Sequence, residues 1–336
     1  MTLINYNAYH KARDDFYMSQ LMKTYGVISG QLKSILLWLD TSSVDSEKLI
    51  QAKLKEIDWL RAVPFILMHL ACFLVFYVGF SYFAFLTAVA FYFIRMFAIT
   101  GFYHRYFSHR AFRTSRSMQF VFALMGATAV QRGPLWWASH HRIHHATADK
   151  ENDQHSPRTH GFLWSHTGWF LSKRNFVTHT ERVTDFEKFP ELKFLDRFDV
   201  LVPVLMTVII YFTGEWLSVS NPQLDTNGLQ MLVWVFFIST VFLYHGTFTI
   251  NSLAHQFGRK VFKSKDDSRN NFWLALITMG EGWHNNHHFY PGSARQGFMW
   301  WEIDMTYYGL LLLEKTGLIW DLKKVPAFVY EKRNVL

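Results

Sequence analysis

Apolar positions along the chain gather in long uninterrupted blocks rather than in narrow stripes. The first block runs from Ala62 to Tyr103, with His69 and Arg95 as its only ionisable groups of note. A second covers Val200 to Tyr211, or reaches Trp216 if Glu215 sits at an interface, and a third runs from Leu229 to Ile250. A hydrocarbon layer about 30 Å thick takes about 20 apolar residues in a helix. The first block is long enough for two spans with a tight turn near Gly79–Ser81, the second is short for a span, and the third suffices. The pattern therefore predicts an all-α, integral-membrane protein with four transmembrane helices, at about 62–80, 82–102, 199–216 and 229–250. The first block starts too far along the chain, and is too long, for a cleaved signal peptide. Buried helices of a soluble core are the bland alternative, and 18% aromatic residues together with such blocks argue against it. Residues 1–61 read as a cytoplasmic N-terminal helical segment, 62–305 as the membrane domain and 306–336 as a C-terminal cytoplasmic segment.

Charge adds an orientation. The link between the first two spans carries no Lys or Arg, and neither does the link from Thr213 to Met231. The N-terminal segment, the stretch from His104 to Arg197 and the C-terminal third are rich in both. Lys and Arg mark the cytoplasmic side of membrane proteins. Both termini and the long middle segment are therefore expected in the cytoplasm. The formal net charge of +8 then lies mostly on one membrane face, where it favours anionic headgroups. No basic helix or aromatic–basic motif points to nucleic acid. The single cysteine, Cys72, falls inside the first span, so no disulfide forms within the chain.

The chemistry lies in the histidines. Of 17, nine fall in a telling pattern. His104 and His109 frame a first box; His141, His144 and His145 form a second; His284, His287 and His288 form a third. His255 follows Asn251 by four residues, just past the last span. Residues three and four apart share a helical face, so each three-histidine box can present its imidazoles on one side. His104 and His109 are five apart, about 140° of helical turn. They meet one site only if the helix ends or bends between them, or else they serve different metals. Zinc sites take four ligands and often use Cys. Nine histidines exceed the shell of one ion and suit two ions with four or five nitrogens each, from among Fe, Cu, Ni and Zn. No Asp or Glu lies inside the boxes, so a carboxylate-bridged site is not indicated. His10, His69, His160 and His179 read as structural or surface residues. His140, His155, His166 and His245 are candidates for groups that orient ligands.

These boxes resemble the membrane fatty acid desaturases, and in particular the stearoyl-CoA (delta-9) type. The resemblance covers about residues 62–305 and extends beyond the boxes. It includes Gly280-Glu281-Gly282-Trp283 before the third box and Asn251-Ser252-Leu253-Ala254-His255 after the last span. It also includes Asp153-Gln154-His155 and Gly161-Phe162-Leu163-Trp164-Ser165-His166-Thr167-Gly168-Trp169. The resemblance implies a di-iron centre on His104, His109, His141, His144, His145, His255, His284, His287 and His288, with Asn251 reaching one iron through a water. Zinc can replace iron in such a shell in purified samples. The resemblance also implies an acyl chain bent in a tunnel beside Gln131, Trp137 and Thr247. The chain departs from the animal acyl-CoA enzymes at Ser139-His140, where they carry an Arg-Asp pair whose Arg helps hold CoA. It departs again at Phe248, usually Trp, and keeps the basic pair Lys173-Arg174. Acyl-CoA and acyl-lipid are both open as substrates. Gly133-Pro134-Leu135-Trp136-Trp137 is similar to bacterial members, which implies a bacterial inner membrane.

The expected reaction is O2-dependent insertion of a cis double bond, at delta-9 by resemblance, because an unactivated methylene has no acidic proton to remove by acid–base chemistry. A bulky Tyr103, or a neighbour on the second span, is expected to limit chain length. No flavin, haem or Fe–S motif is visible, so electrons are expected from a ferredoxin or cytochrome b5-like carrier. A basic face of Arg105, Arg110, Arg113, Arg116, Lys173 and Arg174 would dock it, with phospholipid headgroups the equal alternative. Hydroxylation at the same site, a non-redox metal-binding membrane protein and a haem protein are the competing readings.

Overall fold

The computed structural model describes Gln20 and residues 38–43 and 46–333. His10 and most of the N-terminal segment lie outside the described residues. Among the described residues four helices are long and apolar enough to cross a membrane: α1 (Trp59–Val78), α2 (Tyr82–Ser108), α6 (Leu201–Ser220) and α7 (Gly228–His255). Between α2 and α6 lie α3 (Arg116–Ala127), α4 (Pro134–Thr147) and α5 (Pro190–Arg197). After α7 come α8 (Phe272–Ile277), α9 (His284–Phe289) and α10 (Met305–Lys315). Among the described residues the only sheet pairs β1 (Arg113–Thr114) with β2 (Ile319–Trp320), antiparallel.

The turn between α1 and α2 falls at Gly79–Ser81. Gly79 takes φ 72°, a left-handed conformation that glycine adopts without steric cost. The Ser81 side chain then accepts from Ala84 N and caps α2. At a rise of 1.5 Å per residue, the 20 residues of α1 and of α6 match the hydrocarbon layer, about 30 Å. The 27 residues of α2 and 28 of α7 reach about 40 Å, so both project beyond it. Their added turns carry His104 and His255. Hydropathy ends the spans early there because these turns are polar.

Packing separates the four. In its apolar window α1 is 6% buried and α6 22%, whereas α2 is 39% and α7 56% buried, so α2 and α7 form the centre. Between them Arg95 is fully enclosed, donating to Thr240 Oγ1 (2.7 Å), Ser239 Oγ (2.6 Å) and the Thr128 carbonyl. A cation inside a membrane persists when such acceptors surround it. Helix α3 lies on α2, with Phe122 stacked on Phe102 at 3.8 Å. There Gly126 is obligatory, since a Cβ would meet the Tyr103 ring at 2.0 Å.

Helix α4, which carries the second histidine box, has Pro at its first position, where the missing N–H costs nothing. Its N-terminus is satisfied from another helix: Asp196 of α5 accepts from Trp136 N at 2.8 Å. Gly133 lets the two approach, as a Cβ there would meet Asp196 Oδ1 at 2.3 Å.

Candidate metal centre

The last eleven residues of α2, Ala98–Ser108, form a π-helix, and His109 caps it. His109 N donates to His104 O at 3.2 Å, a bond between residues five apart. In a π-helix that bond closes one turn. Residues i and i+5 therefore lie on one face, and the five-residue spacing that an α-helix would splay brings His104 and His109 together. Helix α4 supplies His141, His144 and His145, α9 supplies His284, His287 and His288, and the end of α7 supplies His255.

All nine come together, in two groups. His104, His109, His141, His145 and His287 form one, and His144, His255, His284 and His288 the other, with ligand atoms in each within 4.8 Å of one another. In the first group His109 Nε2 lies 2.8 Å from His141 Nε2 and 3.1 Å from His104 Nε2. His287 Nε2 lies 3.0 Å from His104 Nε2 and 2.9 Å from His145 Nε2. In the second, His255 Nε2 and His284 Nε2 are 3.0 Å apart. Metal–nitrogen bonds of about 2.0–2.1 Å place adjacent ligands at right angles about 3 Å apart. The spacing fits a cation at the centre of each group.

The outer ring nitrogens explain why the inner ones are bare. His104 Nδ1 donates to Glu281 (2.6 Å), His255 Nδ1 to Asp149 (2.8 Å), His288 Nδ1 to Asp266 (2.9 Å) and His144 Nδ1 to Asp153 (3.2 Å). A neutral imidazole that donates from Nδ1 keeps a lone pair at Nε2. His288 Nε2 is buried with no hydrogen-bond partner, the state of a ligand atom turned to a metal. A metal ligand must be deprotonated. Burial, then neighbouring imidazoles, push His109, His141, His145, His284 and His287 well below the usual range. Burial takes His288 down to about 4 against the pull of Asp266. His144 moves up instead, because Asp153 outweighs its burial. Burial by itself would raise Asp149, Asp153 and Asp266, yet their histidine partners hold all three well below the carboxylate range. Burial opposes Glu281 too, but His104 and Arg105 outweigh it.

Sequence reading missed these four carboxylates. Only Asp153 and Glu281 lie in quoted motifs, whereas Asp149 is 106 residues from His255. It also placed Arg105 on a docking face, and the structure corrects this. Arg105 is 1% exposed and bridges Glu281 (3.1 Å) and Asp304 (2.9 Å), so it braces the site from behind. Arg110 pairs with Asp185, Arg113 with Asp321, Arg116 with Glu191 and Lys173 with Glu56. Only Arg174 of that set lacks a carboxylate partner among the described residues.

A cavity opens beside the histidines, lined by Met96, Ile99, Trp137, Thr247, Ile250 and Asn251 among others. The Trp137 ring stacks on His141 at 5.1 Å. Gln131 reaches the cavity wall through Thr247, to which it donates at 3.0 Å. Tyr103 does not border this cavity; its ring lies over Gly126, 6.2 Å from the Trp137 ring, and its hydroxyl reaches the Ala123 carbonyl. His155 stacks on His144 at 4.4 Å. His140 bonds to Gln154 and the Val177 carbonyl. His166 and His245 touch none of the nine; with His69 and Ser252 they form a separate hydrogen-bonded line between α1 and α7.

The fatty acid desaturase family model matches residues 80–310. A palmitoyl-monogalactosyldiacylglycerol delta-7 desaturase of Arabidopsis thaliana is 35% identical over 86% of this chain and 77% of its own. An sn-1 stearoyl-lipid 9-desaturase of Anabaena variabilis is 33% identical over 80% of this chain and 94% of its own. An acyl-CoA 5-desaturase of Anemone leveillei is 34% identical over 86% of this chain and 89% of its own.

Proposed function

The chain belongs to the fatty acid desaturase family, and from that premise we propose that its two histidine groups hold two iron ions beside a long acyl chain that is converted to a cis monoene. The observation that carries this reading is the division of nine inward-facing imidazoles into groups of five and four at metal-ligand spacing. Bound iron supplies O2-dependent oxidation of unactivated carbon, in which two hydrogens from adjacent methylenes, two electrons and two protons reduce O2 to two waters.

The protein's own residues do the rest. Met96, Ile99 and Ile250 give the acyl chain an apolar wall, and each buried methylene contributes about 0.8 kcal/mol. Trp137, held against His141, and Thr247, tied to Gln131, turn the chain past the histidines. Chain length is limited by Tyr103, acting through the Trp137 ring 6.2 Å away, or by a neighbour on α2 that lines the cavity. Asn251, on the cavity wall, would reach one iron through a water. Lys173 and Arg174 lie near the acyl carrier, which is CoA or a membrane lipid. The double bond lies at delta-9, the position in the name of the Anabaena relative. A ferredoxin or cytochrome b5-like carrier delivers electrons at the cytoplasmic face. Both termini share that face, at a bacterial inner membrane, with residues 62–305 as the desaturase unit.

The test is a lipid profile. The protein is expressed with a redox partner in a host lacking the product, and double bonds are located by mass spectrometry, with His144→Ala alongside. A new monoene at one position, absent from the variant, supports the proposal. Hydroxylated chains would change the reaction class. Protein that carries zinc, takes up no iron and makes neither product would replace it with a non-redox function.

A further inference from the structure

The metal centre is backed by a wall whose outer surface is apolar and aromatic. Trp273 is 73% exposed, Trp300 81% and Phe257 59%, and Phe272, Trp301 and Ile303 are exposed beside them. Sequence segments far apart make this one surface. Asn271 Nδ2 donates to the Phe257 carbonyl, Trp283 packs on Phe272, and Trp283 Nε1 donates to the Ile303 carbonyl at 2.7 Å. Such a patch on a soluble face marks a binding surface.

Its position names the occupant. Helix α8 is fastened to a membrane span: Tyr92 of α2 donates to the Ile277 carbonyl at 2.7 Å. Helix α10 lies on the same span, with Thr306 bonded to Thr100 at 2.7 Å and Gly309 against Phe97. The patch therefore continues the lipid-facing side of α2, where Val89, Phe93 and Ile94 are exposed. Arg259, two residues beyond Phe257, is exposed and has no carboxylate partner among the described residues. Tryptophans at the edge of an apolar face, with arginine beside them, are the composition of a bilayer interface.

We propose that the face bearing Phe257, Trp273 and Trp300 is a second membrane contact, lying in the headgroup layer without crossing it and occupied by lipid. It holds the α8–α9 wall at a fixed height, so His284, one residue beyond Trp283, sits at a set depth above the acyl layer.

The sole cysteine makes a direct test possible. In a Cys72→Ser background, Trp300→Cys and, separately, Trp273→Cys are spin-labelled in lipid discs of phosphatidylcholine and phosphatidylglycerol. Phe76→Cys serves as the lipid reference and Glu151→Cys as the water reference. The expected result is that labels at 300 and 273 are relaxed by dissolved oxygen and shielded from a water-soluble nickel chelate, as at 76. Relaxation by nickel, as at 151, overturns the proposal. Shielding from both reagents with dipolar coupling between two labelled copies also overturns it, in favour of a protein–protein face. Labelling at two positions keeps the test open if one variant fails to fold.

Discussion

The two histidine groups differ in the charge behind them. The five-histidine group has one carboxylate at its back, Glu281 on His104, and that acid is shared with Arg105. The four-histidine group has three, Asp153, Asp149 and Asp266, on His144, His255 and His288. A carboxylate behind an imidazole raises its basicity and fixes its ring. The group with fewer nitrogens thus has more negative charge, and near-symmetry in the histidines conceals asymmetry in electrostatics. The cavity touches both, through His104 and His141 on one side and His144 and His284 on the other.

The largest effect should come from cutting the comparison at its ligands. His284→Ala and His287→Ala each should remove product formation, because each deletes a nitrogen from one group. Metal analysis should show a deficit of one ion in each variant; loss of both ions together would mean that the groups form a single unit. Next are the acids. Asp149→Asn and Asp266→Asn should weaken metal binding by about 10–100-fold, the usual cost of losing such a partner. In the native protein a chelator should strip the five-histidine group first, and single-phase release would break the asymmetry.

Proton linkage gives a third test, on metal-free protein. His109, His141, His145 and His287 are held well below 6.5 by burial, whereas unfolded histidines take protons near 6.5. Below that pH the unfolded state binds more protons, so stability is full above about pH 6.5 and falls as pH drops. Each such histidine contributes up to about 1.4 kcal/mol per pH unit. The four-histidine group adds less, since His144 shifts the other way. Denaturation between about pH 7.5 and 5.5 should show this slope; a flat profile would count against neutral burial. The smallest effect belongs to Asp196→Ala, which removes the α4 cap at a cost of about 1 kcal/mol. Helix α4 serves both groups, so chelator release from both should quicken alike.

The membrane helices were legible because an apolar run of span length has few other stable uses. The turn at Gly79–Ser81 was legible from its residue types. The nine histidines were legible through spacing and resemblance. The acids were not, because Asp149 and Asp266 carry no local sign of the histidines they serve. Arg105 was misplaced because, in sequence, a buried arginine looks like an exposed one.

By itself the sequence determined that this protein has, among the described residues, four helices long and apolar enough to span a membrane and presents histidines on shared helical faces, since hydropathy over a span and spacing of three or four residues are local properties. The tertiary structure decided how the faces are shared. In α4, His141 and His145 turn to one group and His144 to the other; in α9, His284 and His288 turn to one and His287 to the other. Each box thus splits its i, i+4 pair from its third member. Which group each imidazole joins depends on the rotation of two helices that meet only after the chain has folded. The π-helical end of α2, which lies against α3, α4 and α10, is likewise a feature of the folded structure.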